Sequence, residues 1–223
     1  MPLSLRDKLR AVDAPKKPSP AAPQAPVFDD CWHGSKLFPL ESVPGAWDIP
    51  MDMVRLMEPG VLPERLAPER ILYLDTETTG LSGGAGTVAF LTGLGYLTDD
   101  GFLVHQYLMR DYPEERFLLE NVRAMLPQFD VLCTFNGKSF DLPLLQSRFR
   151  MNRMDASVLE KPHIDLLHLA RRVWKLRLGR CNLGRLEEAI FGQPRVDDLP
   201  GNQVPERYFS FLKTGDFHLL QDV

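Results

Sequence analysis

From Ile71 onward, the hydrophobic residues fall into short runs that alternate between strand and helix patterns. Ile71 to Leu74 is an apolar run typical of a buried strand. The segment 87–98 is rich in β-formers and ends at Asp99-Asp100-Gly101, which indicates a hairpin. The predicted strands are 71–74, 87–98, 102–110 and 130–135, and the predicted helices are 113–126, 139–153, one from Asp165, one from Asn182 and one around 205–213.

This order of elements predicts an α/β fold in which a mixed sheet is flanked by helices. We predict three regions along the chain. Residues 1–26 form a flexible tail, because the stretch 11–26 holds five Pro and five Ala and has almost nothing to bury. Residues 27–69 are an irregular lead-in that packs on the core, and 70–223 form the globular domain.

Composition excludes several functional classes. The 223 residues carry a net charge of only -4, so the whole chain is not an electrostatic nucleic-acid binder. We expect no membrane association, because no apolar stretch approaches the ~18 residues of a membrane helix. The first ten residues are charged where a signal peptide would be apolar. Three widely spaced cysteines fit a reducing cytoplasm better than a disulfide framework.

Asp75-Thr76-Glu77 follows the first buried strand and is the first candidate site. Residues two apart on a strand face the same side, so two carboxylates would sit together beside an apolar run. The two negative charges repel each other, and removing them from water costs free energy. A hard divalent cation bound between them reduces both costs. The alternative is a solvated strand end with two unrelated acids. The run Thr78-Thr79-Gly80-Leu81 favours a site, because it offers hydroxyls and a close backbone approach.

Asn136-Gly137-Lys138-Ser139-Phe140-Asp141 follows the strand 130–135 and is the second candidate. Asn-Gly predicts a tight turn, and Ser139 is a candidate helix N-cap that would place Asp141 in the first turn. The alternative for Asp141 is a helix-dipole aspartate, and for Asn136 a simple turn former. Asp165 could cap the following helix or support the site indirectly.

Together the two motifs resemble the ribonuclease H-like 3′–5′ exonucleases. Asp75-x-Glu77 is similar to the family's first motif and Asn136-x-x-x-Phe140-Asp141 to its second. The sequence segments around Gly83-Gly84 and His163-Ile164-Asp165 resemble those of a bacterial branch of predicted exonucleases. In that branch the nuclease domain is often followed by tetratricopeptide-type repeats. The resemblance covers about 68–223.

The resemblance implies phosphodiester hydrolysis with two Mg²⁺ or Mn²⁺ ions. Asp75 would bridge both ions, and Glu77 and Asp141 would each hold one of them. The segment Thr78, Thr79, Gly80 and Leu81 would seat the terminal nucleotide. Asn136 and Lys138 would lie beside the bound strand, where Lys138 could neutralise a phosphate.

The family's third motif, a Tyr or His followed by Asp four or five residues later, has no clear counterpart. His218 and Asp222 match the spacing only at the chain end. We expect that the natural gene product or its ancestor continues beyond Val223. The alternatives are a degenerate site and a makeshift motif from His218 and Asp222. Lacking a fourth carboxylate, the 223-residue chain is expected to bind metal weakly and to cleave slowly or not at all.

Basic residues cluster after the second motif. Ten Lys or Arg and three acids lie between Arg148 and Arg185. Such clustering favours a phosphate-binding track that includes Arg148, Arg171 and Arg172, and the alternative is a set of solvated helix faces.

These observations favour a bacterial, metal-dependent hydrolase, a 3′–5′ exonuclease on single-stranded DNA or RNA. A non-catalytic nucleic-acid-binding or scaffold module of the same fold is the main alternative. A proofreading subunit of a polymerase is a third. A protein partner could bind through the N-terminal tail or a missing C-terminal repeat region.

Overall fold

A computed structural model describes residues 31–42, 50–57, 60, 62–80, 86–192, 194–195 and 199–223. The predicted tail 1–26 and Leu81 lie outside these residues. The strands are β1 (Trp32–Pro39), β2 (Ile71–Thr78), β3 (Ala89–Leu97), β4 (Gly101–Leu108), β5 (Val131–Thr134) and β6 (His163–Asp165). The helices are α1 (Met51–Met57), α2 (Glu115–Met125), α3 (Asp141–Met151), α4 (Leu166–Leu178), α5 (Leu183–Leu186) and α6 (Val204–Thr214).

The six strands form one mixed sheet in the order β1-β4-β3-β2-β5-β6. The first four in that order run antiparallel to their neighbours, whereas β5 and β6 run parallel to β2. The predicted hairpin between β3 and β4 closes through a hydrogen bond of 2.8 Å from the Thr98 N–H to the Gly101 carbonyl. The predicted mixed α/β sheet is therefore confirmed.

Helices pack on both faces of the sheet, because successive residues of β2 point to opposite sides. Leu72 and Leu74 face the larger core, where α2, α3 and α6 contribute residues such as Leu118, Phe149 and Tyr208. The other face holds a smaller core. Its members come from β2, β5, β6, α4 and the segments before β2, and they are Leu66, Ile71, Val131, Cys133, Ile164 and Leu169. No helix in the described part of the chain is long and apolar enough to cross a membrane.

The structure differs from the sequence-based prediction in three places. Within 27–69, which we expected to be irregular, Trp32–Pro39 forms an edge strand paired with β4 and Met51–Met57 forms helix α1. The three-residue strand β6 was not predicted, because it is too short to show a periodic pattern. Ser139 is not the N-cap of α3, since that helix begins at Asp141 after Phe140 and has no side-chain cap.

Candidate functional site

The carboxylates of Asp75 and Glu77 lie on the same face of β2, near its carboxyl end. That face also carries Ile71 and Tyr73 of the smaller core. The Asp75 side chain is exposed and Glu77 is half-buried. Asp75 lies opposite Gly93 on β3, and the pairing shifts register between Glu77 and Thr78. An irregularity of this kind bends the strand where the two carboxylates end the ladder.

Asp141 reaches the same region from the opposite helix layer. It begins α3, directly after the turn that follows β5, and it is buried. Thr76 faces away from Asp75 and Glu77, and its hydroxyl donates a hydrogen bond of 2.5 Å to Oδ1 of Asp141. This buried contact fixes one carboxylate oxygen of Asp141 relative to β2.

A tight turn between β5 and α3 determines where Asp141 lies. Asn136 adopts a left-handed conformation with φ of 71°, which asparagine tolerates better than most residues. Gly137 packs so closely on Thr134 that a Cβ at this position would collide with the threonine side chain. The Leu142 N–H donates to the Gly137 carbonyl at 3.0 Å, so the turn is tied directly to the start of α3.

Asp165 stabilises that turn from the end of β6. It is fully buried, and its carboxylate accepts hydrogen bonds from the backbone N–H groups of Asn136 (2.9 Å), Lys138 (3.0 Å) and Leu167 (3.0 Å). Asp165 thus caps α4 and also holds the turn before Asp141. The two roles weighed from the sequence occur together in one side chain.

The three carboxylates interact electrostatically. Burial, together with the negative charges of Asp75 and Asp141, raises the pKa of Glu77 to about 7. Burial also raises the pKa of Asp141 to about 6, against the hydrogen bond from Thr76 that lowers it. Protein around Asp75 excludes enough water to raise its pKa, although the side chain opens to solvent; a backbone N–H and the charge of Arg195 partly offset this rise.

The donor set suits a hard divalent cation, because it consists of three carboxylates that repel one another. A bound cation would remove both the repulsion and the cost of burial. Among the residues that the structure describes, no three acidic, histidine or cysteine side chains already converge as a formed metal centre. The residues therefore fit the chemistry of a divalent ion, and their side chains would have to close around it.

The hydroxyls of Thr78 and Thr79 shape the turn at the end of β2. The Thr78 hydroxyl donates to the Gly80 carbonyl at 2.9 Å, and the Thr79 hydroxyl accepts from the Val88 N–H at 3.0 Å. Gly80 is half-buried beside them. The side chains of Thr78 and Thr79 are thus engaged within the turn, so contact with a nucleotide would come mainly from its backbone.

Arg148 is not part of a nucleic-acid track. Its guanidinium is buried and pairs with the equally buried Glu115, with Nη2 donating to Oε2 at 2.6 Å and Nε donating to Oε1. Asn152 completes this cluster through a hydrogen bond of 2.9 Å to Glu115. The basic count of the sequence included Arg148 because count and spacing do not show which face of α3 is buried.

Other basic residues of the predicted track are exposed on α4 and after it. Arg171, Lys175 and Arg180 line an open groove whose other walls include Phe135 and Asn136. Arg172 is exposed on the same helix, and Lys138 is half-buried in the turn before Asp141. The groove therefore joins the basic surface of α4 to the turn that positions Asp141.

His218 and Asp222 are exposed at the end of the chain, where Phe217–Leu220 forms a short 3-10 turn. Asp222 is not among the charges that raise the pKa of Glu77, which in the described residues are those of Asp75 and Asp141. Two residues near the carboxylates were not identified from the sequence, namely Thr76 and Arg195. Thr76 could have been noticed as the residue of β2 that points to the other layer, whereas nothing in the pattern around Arg195 indicates a site.

Comparison with known proteins agrees with this fold. A profile of the RNase H superfamily matches residues 72–223. The uncharacterized protein YprB of Bacillus subtilis (strain 168) is 39% identical over 156 residues, which are 69% of this chain and 37% of the Bacillus protein. A DNA polymerase of Pyrococcus glycovorans is 28% identical over 179 residues, which are 67% of this chain and 23% of the polymerase.

Among solved structures, the family B DNA polymerase of Pyrobaculum calidifontis matches 72% of this chain and 24% of its own chain, with a TM-score of 0.53 and 18% identity. A complex of ExoI with SSB-Ct matches 67% of this chain and 42% of its own chain, at a TM-score of only 0.44 and 16% identity. This chain thus spans well under half the length of these relatives. Because the superfamily profile covers more than half of it, the chain belongs to the RNase H superfamily.

Proposed function

We propose that this chain is a metal-dependent nuclease domain that hydrolyses single-stranded nucleic acid from its 3′ end. The observation that carries this proposal is that burial and the charges of neighbouring carboxylates raise the pKa values of Glu77 and Asp141, so that negative charge is held where the protein alone makes it unfavourable. A purely structural site has no reason to bring three repelling carboxylates together. Membership of the RNase H superfamily and the similarity to a DNA polymerase support a nucleic-acid substrate.

In this proposal, the residues of the site hold metal ions, position Asp141 or bind the nucleic-acid strand. Asp75, Glu77 and Asp141 would hold two divalent ions, Mg²⁺ or Mn²⁺, which supply the charge that activates water and stabilises the leaving oxygen. The Thr76 hydroxyl orients Asp141, and Asp165 holds the turn from which Asp141 starts. The backbone of 78–80 would seat the terminal nucleotide, and Asn136, Lys138, Arg171 and Arg172 would lie along the strand that leads to it.

The test is release of the 3′-terminal nucleotide from a 3′-labelled single strand in Mn²⁺. We expect slow, metal-dependent release of labelled mononucleotide, because the described residues supply only three carboxylates. Asp75→Ala and Glu77→Ala should abolish it. The matched control is Glu69→Ala, since Glu69 is an exposed acid two residues before β2. Release that persists in Asp75→Ala, or in EDTA, would contradict the proposal.

The second candidate is a nucleic-acid-binding module of the same fold without turnover. It is favoured because the described residues supply no fourth carboxylate that acts on Glu77: the charges that raise its pKa are those of Asp75 and Asp141, whereas His218 and Asp222 are exposed near the end of the chain. A wild-type chain that binds single strands only with metal present, and releases no labelled nucleotide, would identify this candidate.

We further propose that the protein acts in the bacterial cytoplasm. Cys31, Cys133 and Cys181 are buried free thiols, a state that a reducing compartment maintains. A protein partner would bind through the N-terminal tail, and pull-down with and without residues 1–26 tests this route.

A further inference from the structure

An apolar pocket lies on the face of the sheet that carries Asp75. Its floor is the backbone of β3 at Gly93 and Gly95, which pair with Asp75 and Tyr73 of β2. The pocket is open to one side and has a volume of about 400 Å³, within the range of small-ligand sites. Apolar side chains form most of its walls, among them Phe102, Val104, Phe135 and Leu166.

Gly93 keeps the floor of this pocket open. A Cβ at Gly93 would meet only the Asp75 carbonyl oxygen, at 3.9 Å, so a strip of bare backbone faces the pocket. Gly95 is different, because the Phe102 ring lies 2.6 Å from the place that a Cβ would take. A glycine inside a strand gives up packing and is typical of a position that a ligand approaches closely. The pocket over Gly93 is therefore a candidate binding site.

Phe135 connects this pocket to the basic groove on α4, because it lines both. Within the described residues, the three cations of the groove, Arg171, Lys175 and Arg180, form no ion pair with an acid, whereas the nearby Arg185 pairs with Glu188 at 2.7 Å. Cations in such a groove attract the phosphates of a nucleic-acid strand. A strand that follows the groove toward Asp75 therefore passes Phe135 and the pocket.

The order of these features along β2 determines which nucleotide would reach the pocket. The seat proposed for the terminal nucleotide lies beyond Glu77, at 78–80, whereas the pocket lies beside Tyr73 and Asp75. The proposed metal ligands Asp75 and Glu77 stand between the two. A strand whose terminal phosphodiester lies at the carboxylates thus places its second base, counted from the 3′ end, at the pocket.

We propose that the pocket over Gly93 binds the second base from the 3′ end of a single strand, stacked against Phe135. This inference rests on the proposed function and adds a base-binding site to it. Stacking on an aromatic ring accepts every base but requires that the base be unpaired, so the pocket selects single strands over duplexes. Gln106, which is exposed and pairs with Gly93 across the sheet, offers a hydrogen bond to the edge of the base.

The test measures binding of a 5′-fluorescein single strand to the full 223-residue chain by anisotropy, with Ca²⁺ replacing Mg²⁺. Gly93→Val fills the floor of the pocket and should weaken binding about tenfold. Its thermal midpoint should equal or exceed that of wild type, because valine suits a central strand. A second strand lacks the base at the second position from its 3′ end. Wild type and Gly93→Val should bind this abasic strand equally.

Phe135→Leu tests the stacking contact separately, because leucine preserves an apolar side chain but not the flat ring. It should weaken binding of the complete strand about fivefold and leave binding of the abasic strand as in wild type. The matched controls are Gly201→Val and Phe209→Leu, which should both bind like wild type. Gly201 has no atom within 4 Å of its Cβ position, and Phe209 is an exposed phenylalanine on α6.

The outcomes separate this inference from the proposed function. If wild type binds single strands and Gly93→Val binds them equally well, the pocket holds no base, although the proposed function stands. A penalty that persists on the abasic strand also overturns the inference, because valine would then act on the carboxylates and not on a base. So does a penalty that disappears only when the terminal base is missing. If wild type binds no single strand, the proposed function fails, and the inference fails with it.

Discussion

At the scale of single residues, Glu77 shows how the site opposes the stability of the fold. Its carboxyl is half-buried and faces the charges of Asp75 and Asp141, so its pKa rises from 4.5 to about 7. A carboxyl whose pKa is higher in the folded state binds more protons there than in the unfolded state. Its contribution to stability is therefore complete below pH 4.5 and is lost as the pH rises toward 7.

Glu77→Gln should consequently stabilise the metal-free protein at pH 8, by about 1–3 kcal/mol in the free energy of unfolding. The gain should disappear near pH 4, where wild type is protonated. Urea unfolding in EDTA at both pH values measures it, and Glu69→Gln serves as the exposed control. Equal stability of Glu77→Gln and wild type at pH 8 would show that Glu77 is solvated and unperturbed by its neighbours.

Arg148 shows the opposite relation between a charge and its surroundings. Sequence spacing assigned it to a phosphate track, but the structure buries it against Glu115 and Asn152. Removing one partner of such a pair leaves a buried charge uncompensated, whereas replacing both with apolar residues costs much less.

We therefore expect Arg148→Met to lower the free energy of unfolding by about 3 kcal/mol or more, and Glu115→Leu/Arg148→Met to be more stable than the single variant. Denaturant unfolding measures both. Single-strand affinity of the double variant should equal that of wild type. A loss of affinity with unchanged stability would return Arg148 to the nucleic-acid surface.

At the scale of elements, the turn between β5 and α3 sets the position of Asp141. One buried carboxylate, Asp165, accepts three backbone N–H groups from two different elements. The turn and the start of α4 therefore depend on the same side chain. A substitution at Asp165 should therefore alter the position of Asp141 without replacing any of the proposed metal ligands.

Asp165→Asn should destabilise the protein by about 1.5–3 kcal/mol, because the amide nitrogen turns a donor toward backbone donors. Hydrogen exchange should accelerate at the amides of Asn136, Lys138 and Leu167 more than in β3. Asp216→Asn is the control, since Asp216 also caps a turn but is exposed and accepts a single N–H, that of His218. Uniform acceleration across the sheet would mean only global destabilisation.

Elements that are determined by adjacent residues could be predicted from the sequence, and elements that are determined by long-range contacts could not. The runs of β2 and β5 and the periodic helices were predictable because burial imposes a pattern on adjacent residues. The edge strand β1 was not, because its burial alternates weakly and its pairing with β4 is a long-range contact. At the candidate site, Asp75, Glu77 and Asp141 were predicted from their spacing and from the resemblance of their two motifs to a known family. The Thr76–Asp141 bond and the position of Arg195 depend on tertiary packing, which spacing does not encode.

At the scale of the whole molecule, two sets of ionisable groups respond to pH in opposite directions. The carboxyls of Glu77 and Asp141 have raised pKa values and favour the fold at low pH. Burial lowers the pKa of His163 to about 4, and burial also lowers the pKa values of His33 and His105. His33 and His105 approach within 3.0 Å between Nε2 and Nδ1, so the contact between β1 and β4 disfavours protonation of both rings.

The histidines should therefore define the acid limb of the stability profile. A histidine with a lowered folded pKa is protonated first in the unfolded state, so stability falls as the pH drops from 6.5 toward 4. His163→Gln keeps an acceptor or donor near the Thr134 hydroxyl, which His163 contacts at 2.8 Å, and cannot be protonated. It should reduce the loss of stability between pH 6.5 and 4 by about 2–3 kcal/mol and leave the change between pH 7 and 8 as in wild type.

Glu77→Gln should do the reverse between pH 4.5 and 7: it removes a group that favours the fold at low pH, so stability should fall more steeply on acidification than in wild type, whereas in His163→Gln it should fall less steeply. Added Mn²⁺ should act like Glu77→Gln on wild type, because a bound cation removes the repulsion among the same carboxylates. If Mn²⁺ instead left the stability at pH 7–8 unchanged, or if His163→Gln changed the stability only above pH 7, the charges that oppose folding would not be those of Glu77 and His163.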